Sequence, residues 1–242
     1  MSVEGARMRI FLLAASASLL LASPASAATR NFGIASFTKV RVDGPFKVTV
    51  TTGVAPFAKA TGASGAALDR VAIDMLGDTL VVHTSQSSWG GYPGTTVGPV
   101  EVTVGTHDLA SAWVVGSGAL SIDRVKGFSF SLSVQGSGGA EIGDVAADQM
   151  NISLIGSANA RLAGQAKKLT ALVRGISTLD AAKLTSNDAS IGAEGTATVS
   201  ASISNAVTVD GNGPVTVTLS GGPACTLRVN GSANVSGCRT TQ

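Results

Sequence analysis

From Ala110 onward apolar and short polar residues alternate, and the alternation restarts on a glycine every 18 to 20 residues, at Gly116, Gly136, Gly156, Gly175, Gly195, Gly213 and Gly231. Six, four and two residues before these glycines stand Ala110/Ala112/Val114, Phe130/Leu132/Val134, Met150/Ile152/Leu154, Leu169/Ala171/Val173, Ala189/Ile191/Ala193, Val207/Val209/Gly211 and Cys225/Leu227/Val229. Five residues before them the chain places Ser111, Ser131, Asn151, Thr170, Ser190, Thr208 and Thr226, all short and polar. A period of two with one apolar side predicts a strand with one buried face. Four and six residues after each glycine comes a second, shorter apolar set, Leu120/Ile122, Ala140/Ile142, Ala160/Leu162, Leu179/Ala181, Val199/Ala201 and Val217/Leu219, then Val235, with the pattern failing at Gly237. Each unit therefore reads as strand, glycine turn, short strand, loop.

A unit this small cannot bury its own apolar face, so neighbours must stack. The simplest solution is a coil that closes every 18 to 20 residues and pairs with the coil below, its parallel strands about 4.8 Å apart. That is a right-handed parallel β-helix, the hand following from the general chirality of crossovers; a β-sandwich is the alternative. Residues at one phase then become neighbours. Five after the glycine come Glu141, Arg161 and Asp180, a structural charge ladder; one before it come Arg174, Glu194, Asn212 and Asn230; three before it, Asp210 and Arg228. Each exposed pair of opposite charges contributes about 0.2 to 1 kcal/mol. Between Phe32 and Leu109 the strands are less regular, with "VRV" at Val40, "FKVTV" at Phe46, "VAI" at Val71, "LVV" at Leu80 and "VEVTV" at Val100, and they are expected to begin the same stack. The Gly/Pro-rich stretch from Ser87 to Pro99 must leave regular structure.

The first 27 residues stand apart: Arg7 and Arg9 precede the apolar run "IFLLAASASLLLA", and Pro24 and the small-residue site Ala25 to Ala27 follow. This is the pattern of a secretory signal peptide cleaved before Ala28. The alternative, a membrane anchor, needs an apolar run of about 20 residues, longer than this one. Residues 28–242 are then one exported β-helical domain, in the periplasm, at the cell surface or secreted. Export permits oxidation, so Cys225 and Cys238 are expected to form a disulfide, with two buried free thiols as the rival state. A net charge of +2 with only 13% charged residues argues against a nucleic-acid partner.

Chemistry-bearing motifs are sparse. His83 and His107 have no partner at a metal-binding spacing, so neither a metal nor a cofactor is expected, and both read as lone surface histidines. The serine of each Gly-Ser pair gives way to Ile176, Thr196 and Pro214, which a turn tolerates and a nucleophile does not. Asp123, Asp144, Asp148 and Asp188 are scattered and read as turn residues bonding their own backbone. Trp89 and Tyr92, in the irregular stretch, could contact a ligand or fold back as a cap. A non-enzymatic protein is the expectation.

The succession "FTKVRVDGPFKVTVTTG" from Phe37, "LGDTLVVHT" from Leu76, "VEVTV" from Val100 and the recurring "GSG" units resembles the family of the putative auto-transporter adhesin, head GIN domain, over about residues 35 to 238. The resemblance implies a β-helix on an exported or surface-attached bacterial protein and an adhesin-like role, and it brings no catalytic residues. The chain lacks the series of amphipathic membrane strands of about 10 residues each that a self-exporting auto-transporter needs. The expected function is thus an adhesin-like binding or scaffolding module of the cell envelope, its partner an envelope glycan or a surface protein. The alternatives are a carbohydrate-active enzyme, lyase or hydrolase, on the same β-helix, and a purely structural envelope protein.

Overall fold

The computed structural model describes residues 27–85 and 98–239. The expected signal peptide up to residue 26, and Trp89 and Tyr92, expected as ligand contacts, lie outside the described residues. Sixteen strands join one sheet that coils about six times into a β-solenoid. The early elements are β1 (Ala28–Phe32), β2 (Lys39–Asp43), β3 (Lys47–Thr52), β4 (Phe57–Gly62), the single-turn helix α1 (Gly65–Leu68), β5 (Val71–Leu76) and β6 (Thr79–Thr84). After residues 86–97, which are not described, come β7 (Val100–Thr106) and β8 (Ser111–Gly116). The regular coils are β9 (Ala119–Gly136), β10 (Gly139–Gly156), β11 (Asn159–Gly175), β12 (Thr178–Gly195) and β13 (Thr198–Asn212). The last turn is made by β14 (Thr216–Ser220), β15 (Ala224–Asn230) and β16 (Asn234–Ser236).

From β8 to β16 each strand pairs in parallel with its equivalent one coil away, and equivalent glycines lie opposite one another: Gly116 on Gly136, Gly136 on Gly156, Gly156 on Gly175, Gly175 on Gly195. The early strands follow the same rule only in part. β3 pairs in parallel with β7 and β9, and β2 with β6 and β8, so these open the stack as expected. By contrast β1–β4, β4–β7 and β5–β6 are antiparallel. The β5–β6 hairpin turns on Gly77 (φ 64°), a two-residue connection too short for a parallel return.

One feature of the unit differs from the expectation. The predicted loop after the short strand is itself β structure, because β9 to β12 run without interruption from one glycine corner to the next. Along β10, inward residues fall in three groups, Ala140/Ile142, Val145/Ala147 and Met150/Ile152/Leu154, separated by paired outward residues at Gly143/Asp144 and by Asp148/Gln149. Each coil thus has three short faces. The middle one was hidden because coils differ in length at its margins: the register slips between Ile142 and Val145 and again between Arg161 and Ala163. At the first slip Gly164, with φ 116°, sits where a Cβ would lie 2.3 Å from the Val145 carbonyl oxygen.

The core is the set of inward columns. Val50, Ile122, Ile142, Leu162, Ala181 and Ala201 run up the first face, and Val114, Val134, Leu154, Val173 and Ala193 up the third, none more than 1% exposed. Leu227 and Val229 occupy the same phase in the last coil but are 44% exposed, since β15 pairs only with β13. Gly237 breaks the apolar pattern for a steric reason: its backbone passes so close over Leu219 that a Cβ would overlap the Leu219 carbonyl.

The corner glycines all have positive φ, from 82° at Gly231 to 111° at Gly136. A Cβ on Gly136 would lie 2.6 Å from the Gly116 carbonyl oxygen and one on Gly175 2.4 Å from that of Gly156. The following residue contributes backbone rather than side chain: the N–H groups of Ser137, Ser157 and Ile176 donate to the carbonyls of Gly116, Gly136 and Gly156 at 2.8 to 2.9 Å. That is why isoleucine serves as well as serine there.

Candidate functional site

On the first face the outward positions three and five after each glycine form two columns. One runs Glu101, Lys47, Ala119, Gly139, Asn159, Thr178, and the other Thr103, Thr49, Ser121, Glu141, Arg161, Asp180, each residue paired with the next coil's equivalent. The first column shrinks to Ala119 and Gly139 in its middle, and this shortage of side-chain volume leaves a shallow groove of about 370 Å³. Its floor is the buried row Leu120, Ala140 and Ala160, and Lys47, Glu141, Arg161 and Asp180 border it. Asn159 leans over the missing side chain, with its Oδ1 2.6 Å from where a Gly139 Cβ would be.

The charges of this groove are unequally committed. Lys47 Nζ contacts Glu101 Oε1 at 2.7 Å, and Arg161 Nε lies 3.4 Å from Asp180 Oδ2. Glu141, although the register neighbour of Arg161, makes no ion pair within 4.0 Å among the described residues. The ladder Glu141, Arg161, Asp180 is therefore formed in register but joined on one side only, leaving an exposed carboxylate at the groove edge. Elsewhere Arg174 Nε sits 3.0 Å from Glu194 Oε2 and Arg228 Nη1 3.7 Å from Asp210 Oδ1, while Asn212 faces Asn230. Two of the aspartates read as turn residues make ion pairs as well: Asp144 with Arg124 at 3.7 Å and Asp148 with Lys167 at 2.9 Å.

Cys225 and Cys238 are joined, with Cα atoms 5.7 Å apart, tying β15 to the segment after β16. His107 offers its backbone carbonyl to Gly53 N–H at 3.0 Å. His83 is not a lone surface residue: the β5–β6 hairpin brings Asp74 Oδ2 to 2.6 Å from its Nε2, while Nδ1 lies 3.0 Å from the Thr84 carbonyl. Both ring nitrogens face acceptors, which the doubly protonated ring alone satisfies. The bond to Asp74 is the largest influence and raises the His83 pKa above its usual 6.5, against partial burial, with the Thr84 carbonyl and the Asp74 and Asp43 charges also raising it. The stabilisation is complete below about pH 6.5, the unfolded value, and is lost as pH rises through the elevated folded value. Thermal unfolding followed from about pH 6 to about pH 9 should show stability falling over this window, and His83→Gln should flatten the fall. An unchanged slope in that variant would contradict the assignment.

One aromatic on the third face escaped the sequence reading. Trp113 lies between buried Ala112 and Val114, pointing outward and half-buried, with Arg41 as its register neighbour in one direction and Ser133 in the other. Alternation alone would have marked it as an outward tryptophan. Among the described residues no group of three or more His, Cys, Asp or Glu could hold a metal, and no helix is long and apolar enough to cross a membrane.

Known structures share this architecture. A protein from Bacteroides fragilis described as a putative adhesin superposes with a TM-score of 0.78 at 15% identity, over 87% of this chain and 96% of its own. A putative adhesin from Parabacteroides merdae gives 0.64 at 17% identity, over 88% and 96%. A protein from Parabacteroides distasonis described as a putative lipid binding protein gives 0.62 at 17% identity, over the same shares. At these identities the likeness is one of fold. No curated protein matches the sequence. Residues 36–223, from before the first parallel strand to the last coil, match a single family, and the chain belongs to it: the putative auto-transporter adhesin, head GIN domain.

Proposed function

We propose that residues 28–242 form one exported, non-enzymatic binding domain that holds an extended polar chain, an envelope glycan or a segment of a surface protein, in the first-face groove. The observation that carries this reading is the groove itself. Its floor is Leu120, Ala140 and Ala160, with the unpaired Glu141 carboxylate on its edge and Arg161 at the same position one coil on. An extended ligand running along the solenoid meets acceptor and donor alternately, about 4.8 Å apart. Family membership supports an adhesin-like role.

A hydrolytic reading of Glu141 and Asp180 fits less well. Two rungs separate them, about 9.6 Å, but Arg161 stands between and engages Asp180, and the face is open to solvent rather than enclosed. The test is site-specific photocrosslinking on intact cells, with benzoylphenylalanine at Ser121 in the groove or at Ser190 on the third face. The expected result is a crosslinked envelope polymer from Ser121 alone, lost on adding Arg161→Glu. Equal capture from both faces, or turnover of a polysaccharide by the purified protein, would overturn the proposal.

A further inference from the structure

The second face, which the sequence alignment on glycines did not reveal, carries a groove of its own, of about 390 Å³, over the nearly buried methyl groups of Ala147 and Ala166. Asp148, Gln165, Lys167, Thr185 and Asn187 surround it. At one end stands Phe128, 69% exposed. Its neighbours Gly127 and Ser129 pair with Ala147 and Gln149, which places Phe128 one rung from Asp148. An aromatic ring left in water forgoes the burial that aromatic residues ordinarily gain, and the register partner of this one on the next coil is the polar Asp148.

We propose that this groove binds a neutral saccharide, with Phe128 as the stacking platform. The polar groups decide the ligand class. Asp148 and Lys167, the two charged residues of the lining, neutralise each other at 2.9 Å, so the lining itself carries no net charge, and Lys126, opposite Ala146 on the next coil, is the neighbouring cation to which dextran sulfate is the control. Gln165, Thr185 and Asn187 make no side-chain hydrogen bonds among the described residues, so two amides and a hydroxyl remain to donate and accept together. A ring bearing adjacent hydroxyls answers that set, and its C–H face answers Phe128. A lipid chain is disfavoured, since the floor offers only methyl groups and no depth. The volume lies at the small end of the roughly 300–1,000 Å³ of ligand sites and suits a short stretch of polymer. This inference rests on the reading of the protein as a binding module but uses a different face from the groove of Glu141 and Arg161.

Native affinity electrophoresis tests it, with the mature protein run through gels containing dextran, laminarin, galactomannan or dextran sulfate. At least one neutral polymer should retard the wild type. Phe128→Ala should weaken that retention about tenfold or more, and Phe128→Tyr should keep it within about threefold. Phe128 is a surface residue, so circular dichroism of Phe128→Ala should match the wild type, and the Tyr variant separates loss of the platform from misfolding. Retardation by dextran sulfate alone, no retardation by any neutral polymer, or full retention in Phe128→Ala would overturn the proposal. Loss in Arg161→Glu with retention in Phe128→Ala would assign the saccharide to the first face, overturning this inference while supporting the function proposed above.

Discussion

Gly175→Ala is expected to destabilise the protein by about 3 kcal/mol or more, a fall in Tm of roughly 6 to 12 °C for a domain of this size. Two independent penalties act at that position. The backbone φ of 87° strains any residue with a Cβ, and that Cβ would sit 2.4 Å from the carbonyl oxygen of Gly156 in the coil below. Relief would require prising apart two coils, and the same conflict recurs along the column, with Gly195 next in line. Gly33→Ala, where φ is ordinary and nothing lies within 4 Å, should change stability by less than about 0.5 kcal/mol. Thermal unfolding by circular dichroism separates the two, and equal Tm values would show that the glycine corner is not what the stack depends on.

Removing the disulfide, by reduction or as Cys225→Ser with Cys238→Ser, should cost about 3 kcal/mol for a loop of 13 residues in the chain-entropy model. In a solenoid each coil contacts only its neighbours, so the loss should stay local. β15 already exposes Leu227 and Val229 and pairs on one side, so it is the element held mainly by the bond. Hydrogen exchange should then show β15 and β16 opening while β9 to β11 keep their protection. Free thiols in the oxidised, natively purified protein, or uniform loss of protection along the whole stack, would contradict this.

The regular part of the fold was legible because stacking makes phase visible: residues that keep a constant distance from Gly116 or Gly136 are the residues that meet. The first and third faces and the charge pairs Arg161–Asp180 and Arg174–Glu194 follow from that one alignment, whereas the pairing of the two cysteines followed from the expected export of the chain. The second face did not, because the coils add or drop residues at its edge. Val145 lies opposite Gly164, and Leu184 next, so a fixed offset from the corner loses the column. The partner of His83 was invisible for a related reason. Asp74 reaches it across an antiparallel hairpin, nine residues away in sequence and at no metal-binding spacing. The first-face groove is harder still to foresee, since it arises from what is missing at Gly139 and Ala119 rather than from any conspicuous residue.

The Gly-Ser repeat and the outward columns make opposite predictions about binding, and one comparison decides between them. Equilibrium binding to an envelope preparation from the native host can be measured for the wild type, for Ser137→Ala with Ser157→Ala, and for Arg161→Glu. The expected result is that the double serine variant binds as the wild type does, because the corner works through backbone N–H groups, and that Arg161→Glu weakens binding about tenfold. Binding lost with the corner serines and retained in Arg161→Glu would contradict it.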